Sequence, residues 1–117
     1  MIYKNKGIKY GEYILNDLSY YLDESPDLRI SVETFYNCRE QGYLLNVYKG
    51  FNLLSQIWIY AQRNSDDPTI TYKNDGEYST EDGNRFDEDS WLNRTKSFKN
   101  IDEASEYTIK LIKEMSK

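Results

Sequence analysis

Seven carboxylates fall in the stretch DGEYSTEDGNRFDEDSW at 75–91: Asp75, Glu77, Glu81, Asp82, Asp87, Glu88 and Asp89, with Arg85 as the only cation. Acids at this density suit three kinds of chemistry. They can hold a hard cation, serve as a general acid and base, or attract a basic partner. A calcium loop of the EF-hand type needs oxygen ligands at positions 1, 3 and 5 and a glycine at 6. Setting Gly76 at position 6 puts Thr71 at 1 and Lys73 at 3; setting Gly83 there puts Tyr78 and Thr80 at those places. Neither frame supplies the ligands. Acid–base catalysis needs two carboxylates in unlike environments. Here the acids share one Gly- and Ser-containing stretch, and nothing in it sets their environments apart.

The rest of the composition narrows the chemistry further. There is no histidine and one cysteine, Cys38. That excludes histidine general bases, Ser-His triads and an N/S zinc site within one chain. Neither GxGxxG nor GxxxxGK[ST] occurs. The expectation is therefore a protein that is not an enzyme, with no catalytic residues, no cofactor and no metal.

Two readings of the acidic stretch remain. One is a solvated loop that keeps the protein soluble. The other is a partner-binding surface made of Asp75, Glu77, Tyr78, Glu81, Asp82, Phe86, Asp87, Glu88 and Asp89. Residues 66–89 hold nine of the twenty acids, and the remainder of the chain is close to neutral. Tyr72, Tyr78, Phe86 and Trp91 recur through this region. Rings among charges of one sign are what an interface with a basic protein uses, the rings as anchors and the carboxylates for steering. Tyr72 and Trp91 sit at strand positions, where packing beneath the stretch accounts for them.

The elements that must position these residues follow from periodicity. With 117 residues and a 38% hydrophobic fraction, the chain supports one domain. Twelve tyrosines serve in place of some Leu and Val. Ile14, Leu15, Leu18, Tyr21 and Leu22 predict a helix over 11–24, ended by Ser25-Pro26. LRISVETFY at 28–36 alternates, with Leu28, Ile30, Val32, Thr34 and Tyr36 on one face and Arg29, Ser31, Glu33 and Phe35 on the other. It predicts a strand, followed by a loop at 37–42, a second strand at 42–50 and a turn at Gly50-Phe51-Asn52. LLSQIWIYAQR at 53–63 fits a central strand, although Phe51, Leu54, Ile57, Trp58 and Ala61 also fit a helical stripe. TITYK and EYS, either side of Asn74-Asp75-Gly76, predict a hairpin. WLNRTKSF at 91–98 reads as a last short strand. Asn100 and Glu103 mark the start of a helix over 101–115, with Ile101, Ala104, Thr108, Leu111, Ile112 and Met115 inward. The whole predicts an α+β domain: an antiparallel meander of three to five strands flanked by an N-terminal and a C-terminal helix.

The net charge of -5 argues against direct binding of nucleic acid or of anionic membranes. No signal peptide and no apolar run of spanning length are seen, and the single cysteine suits a reducing compartment. A cytoplasmic protein is expected.

In layout the chain resembles the small acidic inhibitors carried by phages and mobile elements, anti-CRISPR proteins among them. The resemblance lies in a short His-free chain, the α–meander–α order and the cluster DGEYSTEDGNRFDED. It implies a protein that binds a nuclease at its basic nucleic-acid-binding surface and blocks it. Immunity proteins or antitoxins that neutralise a bacterial toxin share these features. A small enzyme or a housekeeping interaction domain is the remaining alternative.

Overall fold

A computed structural model of the chain describes residues 6–37, 40–75 and 92–117. In chain order the elements are α1 (Lys6–Asp23), β1 (Leu28–Asn37), β2 (Glu40–Lys49), β3 (Asn52–Ala61), β4 (Pro68–Asn74), β5 (Lys96–Ser97) and α2 (Ile101–Met115). The strands form one antiparallel sheet in the order β1-β2-β3-β4-β5. The expected α+β meander with a helix at each end is the observed fold.

Helix α1 begins at Lys6, five residues before the predicted start at 11. Apolar spacing marks the helix only from Ile14 onward, because glycine at 7 and 11 adds no apolar side chain to the stripe. In the fold Gly11 is an interior contact residue. The buried stripe of α1 is Gly7, Gly11, Ile14 and Leu18. A Cβ on Gly7 would lie 1.8 Å from the Gln41 carbonyl oxygen, and one on Gly11 would lie 2.0 Å from the Tyr43 ring. Hydrogen at both positions lets the N-terminal half of α1 lie directly on β2. Further along, Ile14 and Leu18 fill the widening gap.

Strand β3 settles the ambiguity at 53–63. Ser55, Ile57 and Ile59 are buried, while Gln56 and Trp58 between them are less so. This period of two is that of a strand, and it sends Ile57 and Trp58 to opposite faces. Ile57 lies between Leu45 of β2 and Tyr72 of β4. The predicted loop at 37–42 shortens, because β2 already begins at Glu40. At the other end only Lys96–Ser97 of the predicted strand 91–98 pairs with β4. Residues 92–94 form a helical turn instead, closed by Thr95 N–H donating to Leu92 O. Hydroxyls hold this segment: Thr69 pairs with Ser97 at 2.9 Å and Thr71 with Thr95 at 2.6 Å. Cross-strand Ser/Thr pairs of this kind fix register on a sheet face. The second half of the predicted hairpin, 77–79, lies outside the described residues.

Both helices cover the same face. The core joins Leu45, Val47, Ile57, Ile59 and Ile70 of the sheet to Ile14 and Leu18 of α1 and Ala104, Leu111 and Ile112 of α2. Each large aliphatic side chain buried here contributes about 1.5–3 kcal/mol. The molecule is 22 Å across its thinnest dimension. Among the described residues, α1 and α2 thus form one helix layer on one face of the sheet. Asn100 caps α2 as predicted, its side-chain oxygen accepting from Glu103 N–H at 2.9 Å. Ile101 and Met115 are only half-buried, and Ser105 takes an inward place that the sequence pattern did not give it. Its hydroxyl donates to Asp17 of α1 at 2.6 Å.

The glycine contact yields a prediction. In an exposed helix interior Gly→Ala gains up to about 1 kcal/mol. Here Gly11→Ala forces the Tyr43 ring aside and should instead lose about 1–3 kcal/mol. Urea unfolding of Gly11→Ala beside Lys9→Ala, an exposed position on the same helix, reads the difference.

Candidate functional site

The β2–β3 turn is where the sheet presents something to solvent. Two ten-residue strands meet through Gly50 and Phe51 alone. A two-residue hairpin loop calls for positive φ, and Gly50 supplies it at φ 62°. Gly50 N–H donates to Asp27 O at 2.9 Å, which ties the turn to the residue before β1. Phe51 is 100% exposed. Its ring therefore gains nothing from the fold and keeps its full apolar area for another surface. Covering a side chain of this size is worth about 1.5–3 kcal/mol.

Two further features flank this ring. The register shifts between Val47 and Tyr48, an irregularity that alters the pairing of β2 with β3 next to the turn. Arg29 of β1 stacks over the Tyr48 ring at 4.5 Å, so a cation is held flat on an aromatic beside the turn. On the other side, Ser55 pairs with Asn74, and Asp75 N–H donates to Leu54 O at 2.9 Å. Strand β4 thus leaves the sheet at the end where Phe51 sits, and exposed Asp75 is the first residue beyond it. The structure brings this member of the predicted acidic set to the turn end. Glu77, Tyr78, Glu81, Asp82, Phe86, Asp87, Glu88 and Asp89 lie outside the described residues.

The sheet face turned away from α1 and α2 carries a polar chain across three strands. Asn46 donates to the Glu33 carboxylate at 3.0 Å, and Gln56 donates to Asn46 at 2.8 Å. Asn46 is buried, and both halves of its amide are satisfied. At the far end of β1 a shallow groove of about 240 Å³ is lined by Ile8, Thr34, Phe35 and Gln41. None of these described lining residues is charged. Tyr72 packs against the core, as its strand position implied.

The shifted tyrosines are on the helix side. The Tyr13 hydroxyl donates to Asp102 in the first turn of α2. That bond, together with the negative charge of Asp102, raises the phenol above its usual range. Burial, helped by Tyr72 and Glu114, raises Tyr107. Among the described residues no group of three or more His, Cys, Asp or Glu side chains could hold a metal ion. Among them, too, no helix is long and apolar enough to cross a membrane. No family model matches this chain, and no curated protein and no solved structure matches it either.

Sequence reasoning placed Phe51 in a turn but gave it no role. The signal was available: an aromatic occupies one of two loop positions between strongly patterned strands, where Asn, Asp or Gly is the usual choice.

The tyrosine shifts give a pH prediction. A raised folded pKa means that the stability from the Tyr13–Asp102 bond is complete below the ordinary tyrosine pKa near 10. It is lost as pH rises through the higher folded value. Thermal melts between pH 8 and about 11.5 should show stability falling above pH 10, with a shallower fall in Tyr13→Phe.

Proposed function

We propose that this protein is an acidic binding inhibitor of the kind phages and mobile elements use against defence nucleases, and that it docks on a basic nucleic-acid-binding surface of its target. The observation that carries this reading is Phe51, wholly exposed on a two-residue turn at the sheet end from which the acidic stretch departs. An exposed ring carried on a tight two-residue turn is suited to be an interface anchor. Asp75 at the same sheet end, and the acids that follow it in the sequence, supply the field that draws a basic surface toward that anchor. The two roles divide between the rates, with charge setting association and the ring setting dissociation.

A panel of purified RNA-guided and restriction nucleases, with nuclease toxins beside them, tests the reading. One defence nuclease should be inhibited stoichiometrically, with added nucleic acid competing against the inhibitor. Phe51→Ala should raise the dissociation rate on the order of 30-fold, the effect of losing an anchor of about 2 kcal/mol. Neutralising Asp75, Glu81, Asp82, Asp87, Glu88 and Asp89 should slow association at low salt, and less so as salt rises. Inhibition confined to a toxin would assign the chain to the immunity proteins instead. A panel without inhibition, or a Phe51→Ala variant that dissociates like the parent, contradicts the proposal.

A further inference from the structure

Strand β1 ends the sheet, and α1 packs chiefly over β2 and β3. The pairing of β1 with β2 decides which of its backbone groups face outward. Gly50 N–H donates to Asp27 O, and these two residues extend the register that sets Leu28 opposite Lys49. Directly bonded positions alternate along an antiparallel pair. Arg29, Ser31, Glu33 and Phe35 are therefore bonded to β2, while Leu28, Ile30, Val32 and Thr34 turn their backbone groups away from it. Leu28 N–H agrees, since it is taken by Ser25 O at 3.0 Å, outside the sheet. The outward side of β1 is thus a ten-residue edge without proline, lysine or bulge. Val32 in its middle is 43% exposed. Such an edge is a template for another strand.

The charges on this edge select the strand. Arg29 and Glu33 lie two residues either side of Ser31, and both are held in place, Arg29 by the Tyr48 ring and Glu33 by Asn46. We propose that β1 pairs antiparallel with β1 of a second copy of this chain, about a two-fold axis at Ser31. In that register Arg29 of each copy faces Glu33 of the other on the side away from α1 and α2. Ile30 and Val32 face Val32 and Ile30 on the helix side and exchange their outward backbone bonds. The neighbouring registers are worse. A two-fold at Ile30 sets Glu33 against Asp27, and one at Glu33 sets the two Glu33 carboxylates together. A two-fold at Val32 sets Arg29 against Phe35 and leaves both charges without a counter-ion. Like charges directly opposite destabilise a strand pair and opposite charges stabilise it. The joined sheet keeps the two Phe51 turns at opposite ends, so dimerisation and the docking proposed above are independent.

Sedimentation velocity of the full chain should show a concentration-dependent monomer–dimer equilibrium. Arg29→Glu and Glu33→Arg each set like charges across the two-fold, and each alone should weaken dimerisation on the order of tenfold. Mixed in equal amounts, the two variants should pair with each other at close to parental strength, which a folding defect would not allow. The register is read by cross-linking in a Cys38→Ser background. Facing Ser31 positions would have Cα atoms about 4.5 Å apart, within disulfide reach. Ser31→Cys should therefore form an intermolecular disulfide on mild oxidation, and Thr34→Cys should not. A parent chain that stays monomeric, charge variants that do not recognise each other, or equal cross-linking at both positions overturns the proposal.

Discussion

The contact on which the structure depends is the close approach of α1 to β2 at Gly7 and Gly11. With any larger side chain the helix would have to stand off by the width of a methyl group or more. Interiors are packed too densely to absorb such a gap without loss. The consequences spread along the helix. Tyr10 reaches Asp66 O at 2.7 Å, and Lys6 reaches the Asp66 carboxylate at 3.2 Å. Both fasten the β3–β4 loop, where Asp66 itself has a positive φ of 59°. Tyr13 and Asp17 meet Asp102 and Ser105 of α2, so the seating of α1 also positions the second helix.

Because both helices lie on one face, the apolar side chains of the strands are concentrated there. The opposite face combines polar contacts, Glu33, Asn46 and Gln56 in one chain and the Thr69–Ser97 and Thr71–Thr95 hydroxyl pairs in another, with Leu44, Trp58 and the edge-on Phe35–Tyr60 ring pair. Two parts of the sheet stay outside this economy, the β1 edge and the β2–β3 turn. The first presents backbone groups with one cation and one anion fixed beside them. The second presents an aromatic ring with no intramolecular use. Strand addition and anchor burial are different modes of recognition, and the proposed dimer and the proposed docking would use separate parts of the sheet.

The strands and the C-terminal helix were legible because their patterns are strong. Alternation in 28–36 sorted β1 onto its faces correctly, and Asn100 marked the start of α2. The ambiguity at 53–63 needed neighbours to resolve it, since Ile57 and Trp58 are separated only once β2 and β4 flank them. The start of α1 lay earlier than the apolar spacing showed, because Gly7 and Gly11 contribute to the buried stripe through close backbone approach and not through apolar side chains. Of the acidic set expected from composition, Asp75 falls among the described residues, and it stands at the turn end. The ring beside it was overlooked because exposure of a single aromatic follows from turn geometry, which hydrophobic periodicity does not report.

The seating of α1 can be observed directly. In a ¹³C-edited NOESY spectrum of the native protein, the Gly11 α-protons should show strong cross-peaks to the Tyr43 ring protons, and one of them should be shifted upfield by the ring current. Absence of those cross-peaks, with Gly11 α-protons at ordinary helical shifts, would contradict the packing from which the rest of the structure follows.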